Sequence, residues 1–582
     1  MVRSVDLETT ARKKEREGVK HMVRTKWTWL MLLLVAVMAL TIVPLAGAQA
    51  PKTDVIITTQ QEPARLDPLS NAGNMFVASM VRFTIFVGDV YFDNKWKVHP
   101  WGVEKLPSLK DGDWKIRPDG KMEVRWRLKK GLLWHDGKPV TAYDWIFAYR
   151  VNIHPEFPAT TREIAERIEN VSAPDPYTVV TVWKKKDFRG NLFLSNDGGF
   201  PLPMHVLDRD FRRNPSKFDQ IPWSNAVPTI GNGPYVLKEW RKGSHIVVEA
   251  FDKWPFEKPT IKRITFRFIS DTNTIIANVL AGATDATDET AIPFAQGLEL
   301  EKRLKAEGRK DIIAEATPGL IWEHIDLNLD NPHLKDKRVR QALLYAANRE
   351  AIVQSLFEGK QPVSHSFLPE KHWGYNPRVK KYNYDPERAK RLLAEAGYRP
   401  GPDGILVKDG VGRLSLTITT TAGNRVREAV EQILQQQWRQ VGIELKISNQ
   451  PARVYFGDTL PQRKYDLGMF AWVLSPISIF VDIYQSKEIP SPANNFAGAN
   501  FPGYRNEELD RIVPTIGEEL DERKRTQLLQ KVQEILVEDL PALPLYVRSD
   551  YTTHKAALGP WLPTGITTPV TWNAVQWKWS RM

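Results

Sequence analysis

Trp322-Glu-His-Ile325 sets one imidazole beside one carboxylate, a grouping that invites a metal reading. A metal centre needs three or four ligands at defined spacing, so a single pair does not make one. The other histidines are scattered, and His135 and His324 read as structural or surface residues. Gly231-Asn-Gly233 starts like a phosphate-cradling loop but lacks the third glycine of a dinucleotide fingerprint. There is no G-x-S-x-G, S-x-x-K, H-E-x-x-H or Walker A sequence. The 69 acids are dispersed, and no pair is marked out for acid–base work. With no cysteine, disulfides, thiolate metal sites and cysteine nucleophiles are excluded together. An enzyme is possible but unsupported by these residues, and no catalytic residue, metal or cofactor is expected.

The 582 residues exceed one ordinary core, so two or three domains or lobes are expected. Twenty Trp, sixteen Tyr and twenty-three Phe supply flat apolar faces. Most should be core, and the rest suit a pocket lined by rings. The net charge of +12 is spread along the chain without a long basic run, which argues against a nucleic-acid partner.

Lys20, Arg24 and Lys26 precede an apolar run from Trp27, closed by Ala46-Gly-Ala48 and Ala48-Gln-Ala50. That is the order of a secretory signal, so residues 1–50 read as a signal peptide with an amino-terminal extension. Met22 is an alternative start. The run approaches the ~20 residues of a spanning helix, so an uncleaved anchor is the rival reading. The absence of Cys after the run excludes a lipoprotein anchor.

The elements that would position a site follow from periodicity and caps. Strands are expected at 53–58, 122–128, 235–240, 245–250, 261–269, 414–418 and 443–447. Thr141 and Asp144 suggest a capping box. Helices are expected from Asp336, from Asp385 with Pro386 at its first position and a stop at Gly397, and over 271–281, 424–441, 506–518 and 521–539. Val426, Val430, Ile433, Leu434 and Trp438 should share the apolar side of the 424–441 helix, and strand, helix and strand over 414–447 imply a parallel sheet.

Six ordered stretches resemble the family 5 extracellular solute-binding proteins, the peptide- and nickel-type receptors of ABC importers. They are Trp126–Asp144, Thr229–Trp240 (with Asn232 where Thr is usual), Asp326–Gly397, Tyr465–Trp472, Asn506–Asp510 and the helix-to-strand segment 521–546. The resemblance spans about 53–550. It implies an α/β, two-lobed fold of the class II periplasmic-binding-protein type with an extra subdomain in lobe I. By analogy lobe I is 51–97, 226–316 and 548–582, the subdomain 98–225, and lobe II 317–547, with hinge crossings near 317 and 547.

The resemblance also implies a monomeric periplasmic receptor that closes on a solute and docks on an ABC permease in the inner membrane. Peptide-binding members commonly place an Asp three residues after the tryptophan matching Trp472, where it pairs with the ligand's amino terminus. Here that position is Ser475, which cannot neutralise a buried ammonium; Asp482 compensates if the loop is realigned. The expected ligand contacts are Trp472, Ser475, Asn500 and Trp322. A peptide held elsewhere by its amino end is the first reading. An oligosaccharide or other polar solute is the second, nickel or a nickel chelate the third. An exported hydrolase using the same cleft, or a tethered sensor or chaperone, are the readings from other classes.

Overall fold

The computed structural model describes residues 52–70, 75–159, 161–193, 199–225, 230–477 and 479–580. The expected export signal lies outside them. Among the described residues no helix is long and apolar enough to cross a membrane.

Ten strands build the main sheet: β1 (Asp54–Thr59), β2 (Tyr235–Arg241), β3 (His245–Ala250), β4 (Arg263–Phe268), β5 (Ala286–Thr287), β6 (Ile312–Leu327), β7 (Ser415–Thr419), β8 (Glu444–Ile447), β9 (Leu467–Val473) and β10 (Ala542–Lys555). Their spatial order is β8-β7-β9-β6-β10-β5-β1-β4-β3-β2. β7 runs parallel to β8 and β9, as the strand–helix–strand reading requires. β1 runs parallel to β4 and β5. The two long antiparallel strands β6 and β10 join these halves and make the fold two-lobed.

Local signals act as the sequence suggests. Asp336 accepts from Arg338 N–H at 3.0 Å and starts helix Lys337–Tyr345, which buries Val339, Leu343 and the following Ala346. Asp385 caps Pro386–Glu395, and Gly397 ends it with φ +90°, a conformation that costs a side chain energy. Helix Arg425–Arg439 between β7 and β8 buries Val430, Leu434 and Trp438. Val426 is a correction: it is 42% exposed, because at the first turn it has rotated off the buried stripe.

A separate four-stranded antiparallel sheet comprises Trp114–Ile116, Met122–Arg127, Thr178–Trp183 and Ile168–Asp175. Helix Ala142–Ile153, begun by the Thr141/Asp144 capping box, supplies Trp145 and Phe147 to the same core as Trp126 and Trp183. The Gly231-Asn-Gly233 loop fastens the opening of β2. Asn232 accepts from Val87 N–H and donates to Val87 C=O, at 2.9 and 3.0 Å, imitating a strand partner. A Cβ on Gly231 would lie 2.0 Å from the Ile85 carbonyl oxygen, so only glycine fits. His135 accepts from Gly231 N–H, and burial pushes its pKa down to about 4, so it is a neutral structural imidazole.

Candidate ligand-binding site

β6 and β10 stay in antiparallel register until Pro318 opposite Ser549, then resume with Trp322 opposite Val547. Between these points three residues of β6 face Arg548 alone. Such a bulge bends the strand pair and re-aims side chains. The residues beyond it on β6, Trp322, Glu323 and His324, alternate faces as a strand must.

On one face lies an aromatic cluster. Trp322 is the cross-strand partner of Trp472 on β9, and both rings meet Phe480, at 6.2 and 5.7 Å. Trp472 also stacks on Phe501 at 6.1 Å with the planes 8° apart, and meets Phe470 edge-on at 5.4 Å. Trp322 is buried, stacked on His324 at 4.2 Å, whereas Trp472 is half-buried. Both indole N–H groups are buried without a partner. His324 and Asp326 sit side by side at 3.3 Å in the interior. Among the described residues no group of His, Cys, Asp or Glu is arranged to hold a metal.

The opposite face carries charge. The carboxylate of Glu323, fully buried, accepts from Arg427 Nη2 at 3.0 Å and from Arg548. Burial alone would raise the Glu323 pKa, but Arg548 and Arg427 outweigh it and hold the carboxyl below its usual range. The cluster has one more cation than anion, and the Arg548 side chain remains 36% exposed. It can therefore receive an anionic group from outside.

The expected contacts separate. Trp472 and Trp322 are brought together. Ser475 follows on the loop after β9, half-buried, with its Oγ 3.4 Å from Ile477 N–H. Asn500 is elsewhere in role. Its Nδ2 donates to the carbonyls of Tyr484, Gln485 and Tyr504 at 3.1, 3.0 and 2.9 Å, and its Oδ1 accepts from Tyr504 N–H. Its donors are spent on folding the 484–504 loop. Asp482 is exposed, in the field of Glu163 and Arg189 from the neighbouring four-stranded-sheet region. Sequence reasoning missed the Glu323–Arg427–Arg548 cluster, whose members lie 104 and 225 positions apart.

The sequence pattern described as bacterial extracellular solute-binding proteins, family 5 (middle) matches residues 106–486. The oligopeptide-binding protein AppA of Bacillus subtilis is 30% identical over 446 residues, covering 74% of this chain and 77% of that protein. The dipeptide-binding protein of Escherichia coli is 26% identical over 465 residues, covering 76% and 80%. Among solved structures, the oligopeptide-binding protein of Thermus thermophilus complexed with a pentapeptide superposes with a TM-score of 0.65 at 28% identity, over 91% of this chain and 97% of that one. This chain belongs to family 5 of the bacterial extracellular solute-binding proteins.

Proposed function

We propose that this protein is the exported receptor of an ABC importer and that it captures peptides between its lobes. The observation that carries the reading is its similarity to AppA, named as oligopeptide-binding, across three quarters of both chains. The dipeptide-binding relative and the pentapeptide-bound neighbour point the same way.

In this reading lobe I is 51–97, 226–316 and 548–582 with the subdomain 98–225, and lobe II is 317–547. The strand pair β6–β10 is the hinge, bending at the bulge opposite Arg548. A peptide enters, the lobes close, and the closed form is what a membrane permease recognises. Residues 1–50 direct export to the periplasm. On the aromatic face Trp472 offers a ring wall with a free indole donor and Ser475 a hydroxyl for an amide. The protein binds without turnover.

Incubation of purified protein with a defined peptide pool tests this. Peptides should be recovered intact and in stoichiometric amount. Steady cleavage of the pool would make the protein a hydrolase, and recovery of no peptide would overturn the reading.

A further inference from the structure

A cavity of about 220 Å³ opens beside the bulge in β6. Its wall joins three distant parts of the chain: Pro318 and Gly319 of the bulge with Val547 of β10, the stretch 362–375, and Trp96. It is not the place described above. Among the described residues neither Trp472 nor Ser475 lines it, and Phe367 packs toward Trp322 and Phe480 instead, at 6.5 and 6.2 Å.

Most of the wall is apolar, but two polar groups in it lack partners. Trp96 is the flat part of the wall, 8% exposed, and its indole N–H donates to Thr564 C=O at 2.8 Å. Its φ is +62°, a left-handed conformation that strains a bulky residue and persists only where the surroundings impose it. The Lys371 ammonium lies 5.5 Å from the centroid of that ring. Partial burial lowers the Lys371 pKa, and no carboxylate raises it. The carboxylate in the wall, Glu370, bears on the Tyr375 hydroxyl, whose pKa it helps to raise. His365 is the second group: its Nδ1 is buried without a hydrogen-bond partner. Burial, with Arg349 and Lys381 nearby, pushes its pKa down to about 4, so the ring is neutral and Nδ1 can carry the proton it donates.

We infer that this cavity is a binding site for a small aromatic carboxylate, its ring seated against Trp96 and its carboxylate directed to Lys371, with His365 as a second donor. The charge selects the ligand: an ammonium over an indole, without a counter-ion, at an apolar cavity takes an anion that brings its own apolar body. The size agrees. A dry cavity of ~150 Å³ takes up benzene, and this one leaves room for a single ring with its carboxylate. The site goes beyond the peptide reading, because it takes a second ligand rather than the captured one.

The test is calorimetric titration of the full protein with phenylacetate, phenylacetamide and acetate. Lys371→Gln and Val363→Phe are run beside the wild type, with thermal melts to verify folding. A hydrogen bond to a charged group is worth about tenfold in affinity. The wild type should bind one phenylacetate at least that much more tightly than the amide or acetate. Lys371→Gln, at an exposed position, should lose the preference for acid over amide while still folded. Val363→Phe, which puts a ring into the cavity, should bind neither. No binding of phenylacetate by the wild type, equal binding of acid and amide, or an unchanged preference in folded Lys371→Gln overturns the site. One-for-one displacement of phenylacetate by tri-alanine would place the acid in the peptide cleft and overturn it as well. Peptide capture stands in each of these cases.

Discussion

The guanidinium carbon of Arg525 lies 4.6 Å from the ring centroid of Phe188. Trp373 flanks the same guanidinium at 5.3 Å, and Lys185 pairs with Glu518 at 2.6 Å alongside. Phe188 and Lys185 follow the four-stranded sheet, whereas Trp373, Glu518 and Arg525 lie between β6 and β10 in the chain. The contact therefore joins the segment after the four-stranded sheet to the stretch of chain between β6 and β10.

Arg525→Ala should loosen this contact. A cation held between two rings is worth about 0.5–2 kcal/mol, so the unliganded protein should shift toward a more open form. Small-angle scattering should give a larger radius of gyration for the variant than for the wild type. Identical scattering would show that the contact does not hold the two segments together.

Glu323→Gln should destabilise the fold by about 3 kcal/mol, because it leaves Arg427 buried without its counter-charge. The pH dependence has a definite sign. The Glu323 carboxyl is held below its unfolded value, so its contribution is present above about pH 4.5 and is lost as pH falls through the lowered folded value. Urea unfolding at pH 7 and pH 4 should find the gap between wild type and variant narrower at pH 4. A gap that widens on acidification would contradict the assignment.

Asp288 acts in the opposite sense. Its folded pKa is raised to about 7, so the folded state holds a proton that the unfolded chain releases from about pH 4 upward. Stability should fall between about pH 4 and 7 on this account. Asp288→Asn should flatten that decline and be more stable than the wild type at pH 7.5, by about 1–2 kcal/mol. Melting curves at pH 5 and 7.5 measure it, and a variant destabilised equally at both would refute the buried-acid account.

The strands and helices with simple periodicity are legible in the sequence because each signal is local. The Asp336 and Asp385 caps, the Thr141 capping box and the β2–β3 hairpin all lie where their residues put them. The long strand β6 is not legible. Its Pro318-Gly319 resembles a break, and from Trp322 to Leu327 every residue is buried, so no alternation marks the strand. The site divides the same way. The partnership of Trp322 and Trp472 needs the β6–β9 register, and the Glu323, Arg427 and Arg548 cluster needs three distant strands and helices to meet. Asn500, expected as a ligand contact, uses its amide on three carbonyls, of Tyr484, Gln485 and Tyr504.

Asn500→Ala separates these roles. Leaving three carbonyls and the Tyr504 N–H without their partner should cost about 2–3 kcal/mol. The melting temperature should drop while the folded variant binds peptide as tightly as the wild type. Lost affinity at unchanged stability would return Asn500 to the binding surface.

Native mass spectrometry of freshly purified protein tests peptide capture most directly. The account predicts adducts whose masses resolve into intact short peptides and which disappear after partial unfolding and refolding. Adducts that are sugars with no peptide among them would contradict it.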